Sequence, residues 1–154
     1  MIELAHPMFP TRWEVLITPG HCPGHICLLS DAGLVAGDMV AGYGTILIPV
    51  EEGCMEVYLE QLERLKSLKP RMLFPSHGPV MALPQKVLGY YIEHRSARHQ
   101  RVLDSVNSGT SELGGITAAA YADTPDAHLG LARQQTLSHL LSLQRSGDIQ
   151  LIDD

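Results

Sequence analysis

Three short apolar runs each break on a turn rich in Pro or Gly that carries a histidine or an aspartate, and this pattern limits the possible fold most. Trp13, Val15 and Ile17 alternate with other residues up to Thr18, the period-two mark of a strand with one buried face; the chain then turns through Pro19, Gly20 and His21. Residues 26–29 and 34–36 are apolar runs around Ser30-Asp31-Ala32-Gly33. That spacer predicts a hairpin, with Asp38 just past its second strand. Residues 72–74 form a third run, which breaks at Pro75-Ser76-His77-Gly78-Pro79. Strand ends are where rigid backbone aims a side chain into a cleft, so His21, Asp38 and His77 are the candidate functional residues.

The intervening pattern assigns the fold class. Residues 45–50 are apolar and partly β-branched, which predicts a further strand closed by Pro49 and Glu51-Glu52-Gly53. The period then changes: Met55, Tyr58, Leu59, Leu62, Leu65 and Leu68 recur at three- and four-residue steps, the stripe of an amphipathic helix, and Pro70 ends it. Strand, hairpin, strand, helix, strand is an α/β order. Beyond Pro84 the pattern is helical, over residues 87–106, 116–121 and 127–145, with a last apolar run at 149–152. The boundary falls near residues 80–86 and divides the chain into 1–83 and 84–154. Within the second part His94, Arg95, Arg98, His99 and Arg101 read as a solvated helix face, and His128 and His139 as surface or core-edge residues.

Composition excludes several classes of function. The longest apolar runs fall far short of the roughly 18 residues a membrane span needs, and the N-terminus lacks a basic start leading into an apolar stretch. With 45% hydrophobic and 18% charged residues the chain has a globular composition. The first 90 residues carry 6 basic against 9 acidic side chains and the remainder 5 against 8, so neither part has the basic face of a nucleic-acid binder. DNA is therefore not an expected partner. Three cysteines without a paired framework predict free thiols and a reducing, cytoplasmic setting.

Two imidazoles and a carboxylate suit a borderline metal such as zinc, which takes nitrogen and oxygen ligands, and the two oxygens of Asp38 could each face a different ion. Taken singly, each residue has a plainer reading as a turn histidine or turn aspartate; the joint arrangement carries the argument. Cys22 and Cys27 with His21 and His25 fall within seven residues, too tight for the paired spacing of a structural zinc knuckle. Cys22 as a thiol nucleophile beside His21 and His25 is a further alternative.

The segments Thr18 to His25, Gly37-Asp38 and Pro75 to Pro79 resemble the later metal-binding motifs of the metallo-β-lactamase fold hydrolases, in the same order and at similar separations. Gly37-Asp38-Met39-Val40, followed by Gly42 and Gly44-Thr45, and His94-Arg95 in the next helix, are similar to the subgroup of glyoxalase II and the lactamase-like endoribonucleases. The resemblance implies the second half of an αββα sandwich followed by a small, helical, winged-helix-like region. It implies His21 as a ligand of one zinc ion, His77 as a ligand of a second, Asp38 as the catalytic bridge, and His25 as a neighbour that orients them. Cys22 stands where the pattern commonly has Thr. The family's first motif, His-x-His-x-Asp-His, has no counterpart here, since no His-x-His occurs.

Two functions follow as expectations. One is a metal-dependent hydrolase acting on an ester, thioester, lactam or phosphodiester of small-molecule or nucleotide type, incomplete in this chain alone. The other is a catalytically silent, truncated or oligomerising interaction module. Half a sandwich leaves an apolar sheet face to be covered, by a second copy or by a chain supplying the other half.

Overall fold

The structure, a computed structural model, describes residues 2–6, 9–150 and 152. Five strands form one sheet in the order β1 (Ile2–His6), β2 (Phe9–Ile17), β3 (Ile26–Ser30), β4 (Gly33–Gly37) and β5 (Leu73–Pro75). The first four pair antiparallel, and β5 joins β4 in parallel after the helix α1 (Met55–Ser67). The helices α2 (Pro84–Asn107), α3 (Leu113–Ala120) and α4 (Leu129–Ser146) complete the chain. Among these residues no helix is long and apolar enough to cross a membrane, and Cys22, Cys27 and Cys54 are free thiols.

The expected hairpin is β3 and β4, and the expected amphipathic helix is α1. Met55, Tyr58, Leu62 and Leu65 pack from α1 onto Leu16, Cys27, Leu34, Ala36 and Leu73 of the sheet. Each fully buried large apolar side chain contributes about 1.5–3 kcal/mol, so this layer is the main support for the strand ends that carry the candidate residues. A smaller cluster, built on Val102, Ile116, Ala120, Leu140 and Leu143, holds α2, α3 and α4 together. The helix α2 joins the two, since Leu88 and Tyr91 belong to the first cluster and Val102 to the second.

Three expectations are corrected. Residues 45–50 do not form a strand; the backbone of Ile46 and Ile48 bonds to side chains of α2 and α4 instead of to a neighbouring strand. The supposed solvated face of α2 is partly buried. Leu88, Tyr91, Arg95, Arg98, Val102 and Ser105 are all buried, and their three- and four-residue spacing makes them one stripe, in which two guanidinium groups take places an apolar side chain would ordinarily fill. His139 is fully buried rather than at a core edge, whereas His128 is exposed. The helical part of the winged-helix-like expectation is present; among the described residues no strand follows β5.

Candidate metal centre

The loops after β2, β4 and β5 bring His21, Asp38 and His77 to one end of the sheet. Nε2 of His21 lies 3.8 Å from Oδ2 of Asp38, and Nε2 of His77 lies 3.5 Å from Oδ1. Asp38 thus presents one oxygen to each imidazole. Its Oδ1 is buried and has no hydrogen-bond partner, which a buried carboxylate oxygen rarely lacks.

Each residue is held from behind. Gly20 precedes His21 at φ 134, and a Cβ there would sit 2.4 Å from Tyr58 Cα, so only glycine lets the β2 turn close onto α1. The turn is tied to that helix by the Cys54 amide, which donates to the Gly20 carbonyl at 2.8 Å. His21 Nδ1 lies 2.8 Å from the Leu47 carbonyl. A carbonyl only accepts, so Nδ1 carries the proton and Nε2 keeps its lone pair toward Asp38. His77 is 73% exposed and is located by its backbone, whose carbonyl accepts from the Gly42 amide at 2.7 Å.

Behind Asp38 runs a chain of hydrogen bonds from the β2–β3 turn. The Asp38 amide donates to His25 Nε2 at 3.0 Å, so His25 carries its proton on Nδ1, 2.8 Å from Thr18 Oγ1. The Thr18 hydroxyl donates to Cys27 Sγ at 3.3 Å, and the Cys27 thiol to the Ala36 carbonyl at 3.5 Å. Burial, and then the charge of His21, lowers the pKa of His25, which favours the neutral ring that this acceptor role requires. Burial raises the Cys27 thiol to about 11, leaving it inert. At Gly37, φ 54, an added Cβ would meet His25 Nε2 at 2.6 Å; glycine lets the ring reach the Asp38 amide.

The three donors fit a zinc-type centre in chemical type and orientation. Ligands on a tetrahedral ion with bonds of about 2.0–2.1 Å stand about 3.3 Å apart, near the N···O separations of 3.5 and 3.8 Å and beyond hydrogen-bonding range. Their number is short. Among the described residues no group of three or more His, Cys, Asp and Glu side chains could hold a metal ion; Asp38 is shared between two two-donor sets. An open cleft of about 430 Å³ is lined by Ala41, Gly42, Met81, Lys86, Tyr90 and Tyr91, and its Gly42 is the residue whose amide bonds the His77 carbonyl. The roles of Thr18, Cys27 and the Leu47 carbonyl were not legible in the sequence, because backbone acceptors and buried hydroxyl relays have no residue pattern of their own.

Residues 4–77 match the Metallo-beta-lactamase superfamily. It is 31% identical over 142 residues to the Beta-lactamase-like protein 2 homolog of Drosophila melanogaster, an alignment covering 90% of this chain and 47% of that protein. It is 30% identical to Thioesterase pkgB of Emericella nidulans, covering 78% and 38%. Among solved structures, a metallo-beta-lactamase family protein from Thermus thermophilus superposes with a TM-score of 0.76 at 22% identity, covering 95% of this chain and 48% of the other. A Beta-lactamase domain protein from Burkholderia ambifaria gives 0.74 at 25%, covering 96% and 46%. The chain spans less than half the length of each of these relatives.

Proposed function

We propose that this chain provides one half of the centre of a metal-dependent hydrolase, with His21, Asp38 and His77 as donors to one or two zinc ions. The observation that carries this reading is the Asp38 carboxylate, flanked on its two oxygens by imidazole nitrogens with Oδ1 otherwise unpartnered. The bound metal supplies a water acidified to a pKa of about 7 and a Lewis acid for developing negative charge. His21 offers Nε2 because Leu47 holds the proton on Nδ1; Asp38 offers an oxygen to either side because His25 fixes its backbone. The substrate is an ester, thioester, lactam or phosphodiester. Relatives named thioesterases favour the thioester among these, and the cleft lined by Gly42, Lys86 and Tyr90 is the place we assign to the substrate.

The remaining donors come, on this reading, from a half of the sandwich outside these residues. The parts 1–83 and 84–154 act as donor-bearing sheet and winged-helix-like support, in the cytoplasm, without a membrane or DNA partner. Zinc content measured on the purified protein tests the assignment. Binding abolished by Asp38→Ala and His77→Ala and retained by His128→Ala is the expected result; equal loss from all three overturns it.

A specific observation favours an oligomerising or interaction module as a second reading. On the sheet face away from α1, Val15, Leu28, Val35 and Phe74 stand in register across four strands, none fully buried. Beside them Ile17 and Ile26 are 62% and 49% exposed. A second copy, or a chain bearing the other half, would cover this face. Light scattering that finds a stable monomer at high concentration rejects the second copy.

A further inference from the structure

Residues 46–48 have no strand partner, and their backbone groups must find bonds elsewhere. Gln135, on α4 and 6% exposed, turns its amide to Ile48: Nε2 donates to the Ile48 carbonyl at 2.9 Å, and Oε1 accepts from the Ile48 amide at 3.3 Å. The same Oε1 accepts from Arg95 Nη1 at 2.8 Å, while Arg95 Nη2 donates to the Ile46 carbonyl. Between these two held residues stands Leu47, whose carbonyl accepts from His21 Nδ1.

Arg95 is 1% exposed, and among the described residues no carboxylate is paired with it. Burying a guanidinium without a counter-charge is costly, and an apolar side chain of similar volume would fill the space without that cost. What it could not do is donate to the Ile46 carbonyl and to Gln135 together. The arrangement is therefore explained by what it holds in place.

We propose that Gln135 and Arg95 are positioning residues that fix the Leu47 carbonyl and thereby set the Nδ1–H tautomer of His21, leaving Nε2 bare toward Asp38. The helical region thus reaches the candidate centre through two side chains and one carbonyl. The consequence for metal affinity rests on His21 being a metal donor; the tautomer does not. Neighbouring groups that orient a metal-bound imidazole typically change affinity tenfold to a hundredfold when removed.

The test uses the full chain, metal-free at about pH 8, where a free imidazole is neutral. Ring ¹⁵N shifts read the His21 tautomer, and amide exchange reads the Ile48 N–H. The variants are Gln135→Leu and Gln135→Glu, the second keeping the shape while removing the donor to Ile48. In the parent the Nδ1–H form is expected. Folded variants should show a mixture of tautomers, faster Ile48 exchange in Gln135→Leu, and Zn²⁺ binding weakened about tenfold to a hundredfold against a competing chelator. A folded variant with an unchanged His21 tautomer overturns the proposal, as does an Nε2–H form in the parent. If neither variant folds, the parent's tautomer decides by itself. A tautomer shift in a chain that binds no Zn²⁺ supports the clamp and overturns the metal reading, so the two failures are distinguishable.

Discussion

The sheet and the helical region bury opposite kinds of side chain. Around the sheet the buried residues are almost wholly apolar; among the described residues every buried polar or charged one except Thr18 lies at or beyond Arg95. The sheet keeps its polar donors at strand ends, where backbone and loop bonds hold them and removal leaves the core intact. The helical region places Arg95, Arg98, Gln135, Thr136 and His139 inside, where each needs a partner. Some polar atoms of this region lack one: Arg95 Nε, His94 Nδ1, His139 Nε2 and Ser105 Oγ are buried without a hydrogen bond. An apolar layer tolerates the loss of a functional group beside it, whereas a buried polar seam makes stability and geometry interdependent.

The largest expected effect breaks the sheet layer itself. Leu62→Ala empties a fully buried position between α1 and the sheet and should cost about 2–5 kcal/mol, measured by urea unfolding. A loss below about 1 kcal/mol, under the usual range for such a truncation, would show that the layer is not the main support of the fold.

Acid should act next, and through the helical seam. His139 has its Nδ1 3.2 Å from His99 Nδ1 and feels the charges of Arg95, Arg98 and His94; the charges of Asp148 and Glu56 act on His99. Burial first, then those cationic neighbours, holds the His139 pKa well below the ordinary imidazole value. A histidine depressed in the folded state binds its proton more readily when unfolded, so its contribution is complete above about pH 6.5 and declines as pH falls through that value. Melting temperature should therefore fall below about pH 6.5, and His139→Leu should shrink that fall. An unchanged acid dependence in the variant would assign the effect elsewhere.

Smaller still is the effect on folding at the strand ends. Asp38→Asn should leave the melting temperature close to that of the parent while removing Zn²⁺ binding, because Oδ1 makes no hydrogen bond whose loss the fold would register. The exposed sheet face sharpens the comparison last: Ile17→Lys should leave the chain folded and reduce its self-association by sedimentation, the position being 62% exposed.

The hairpin of β3 and β4, the helix α1 and the turns bearing His21, Asp38 and His77 were legible because each is a local event. Alternation, an i, i+3, i+4 stripe, and a Pro or Gly directly after an apolar run all lie within a few residues. The burial of Arg95 and Arg98 left a weaker trace. They continue the stripe of Leu88, Tyr91 and Val102, but charge in a helix is ordinarily a sign of solvent. Residues 45–50 have the composition of a strand, and nothing local in them shows that Gln135, some ninety positions away, takes the bonds a neighbouring strand would have made.

The sequence by itself determined which side chains stand at strand ends and in what order, since turn chemistry and hydrophobic period act over short distances. Only the tertiary structure decided which faces of α2 and α4 meet, that Leu47 presents its carbonyl to His21, and that the two oxygens of Asp38 are divided between two imidazoles. Those outcomes depend on where distant backbone groups find their hydrogen bonds once the core has closed, and a carbonyl is the same group in every residue.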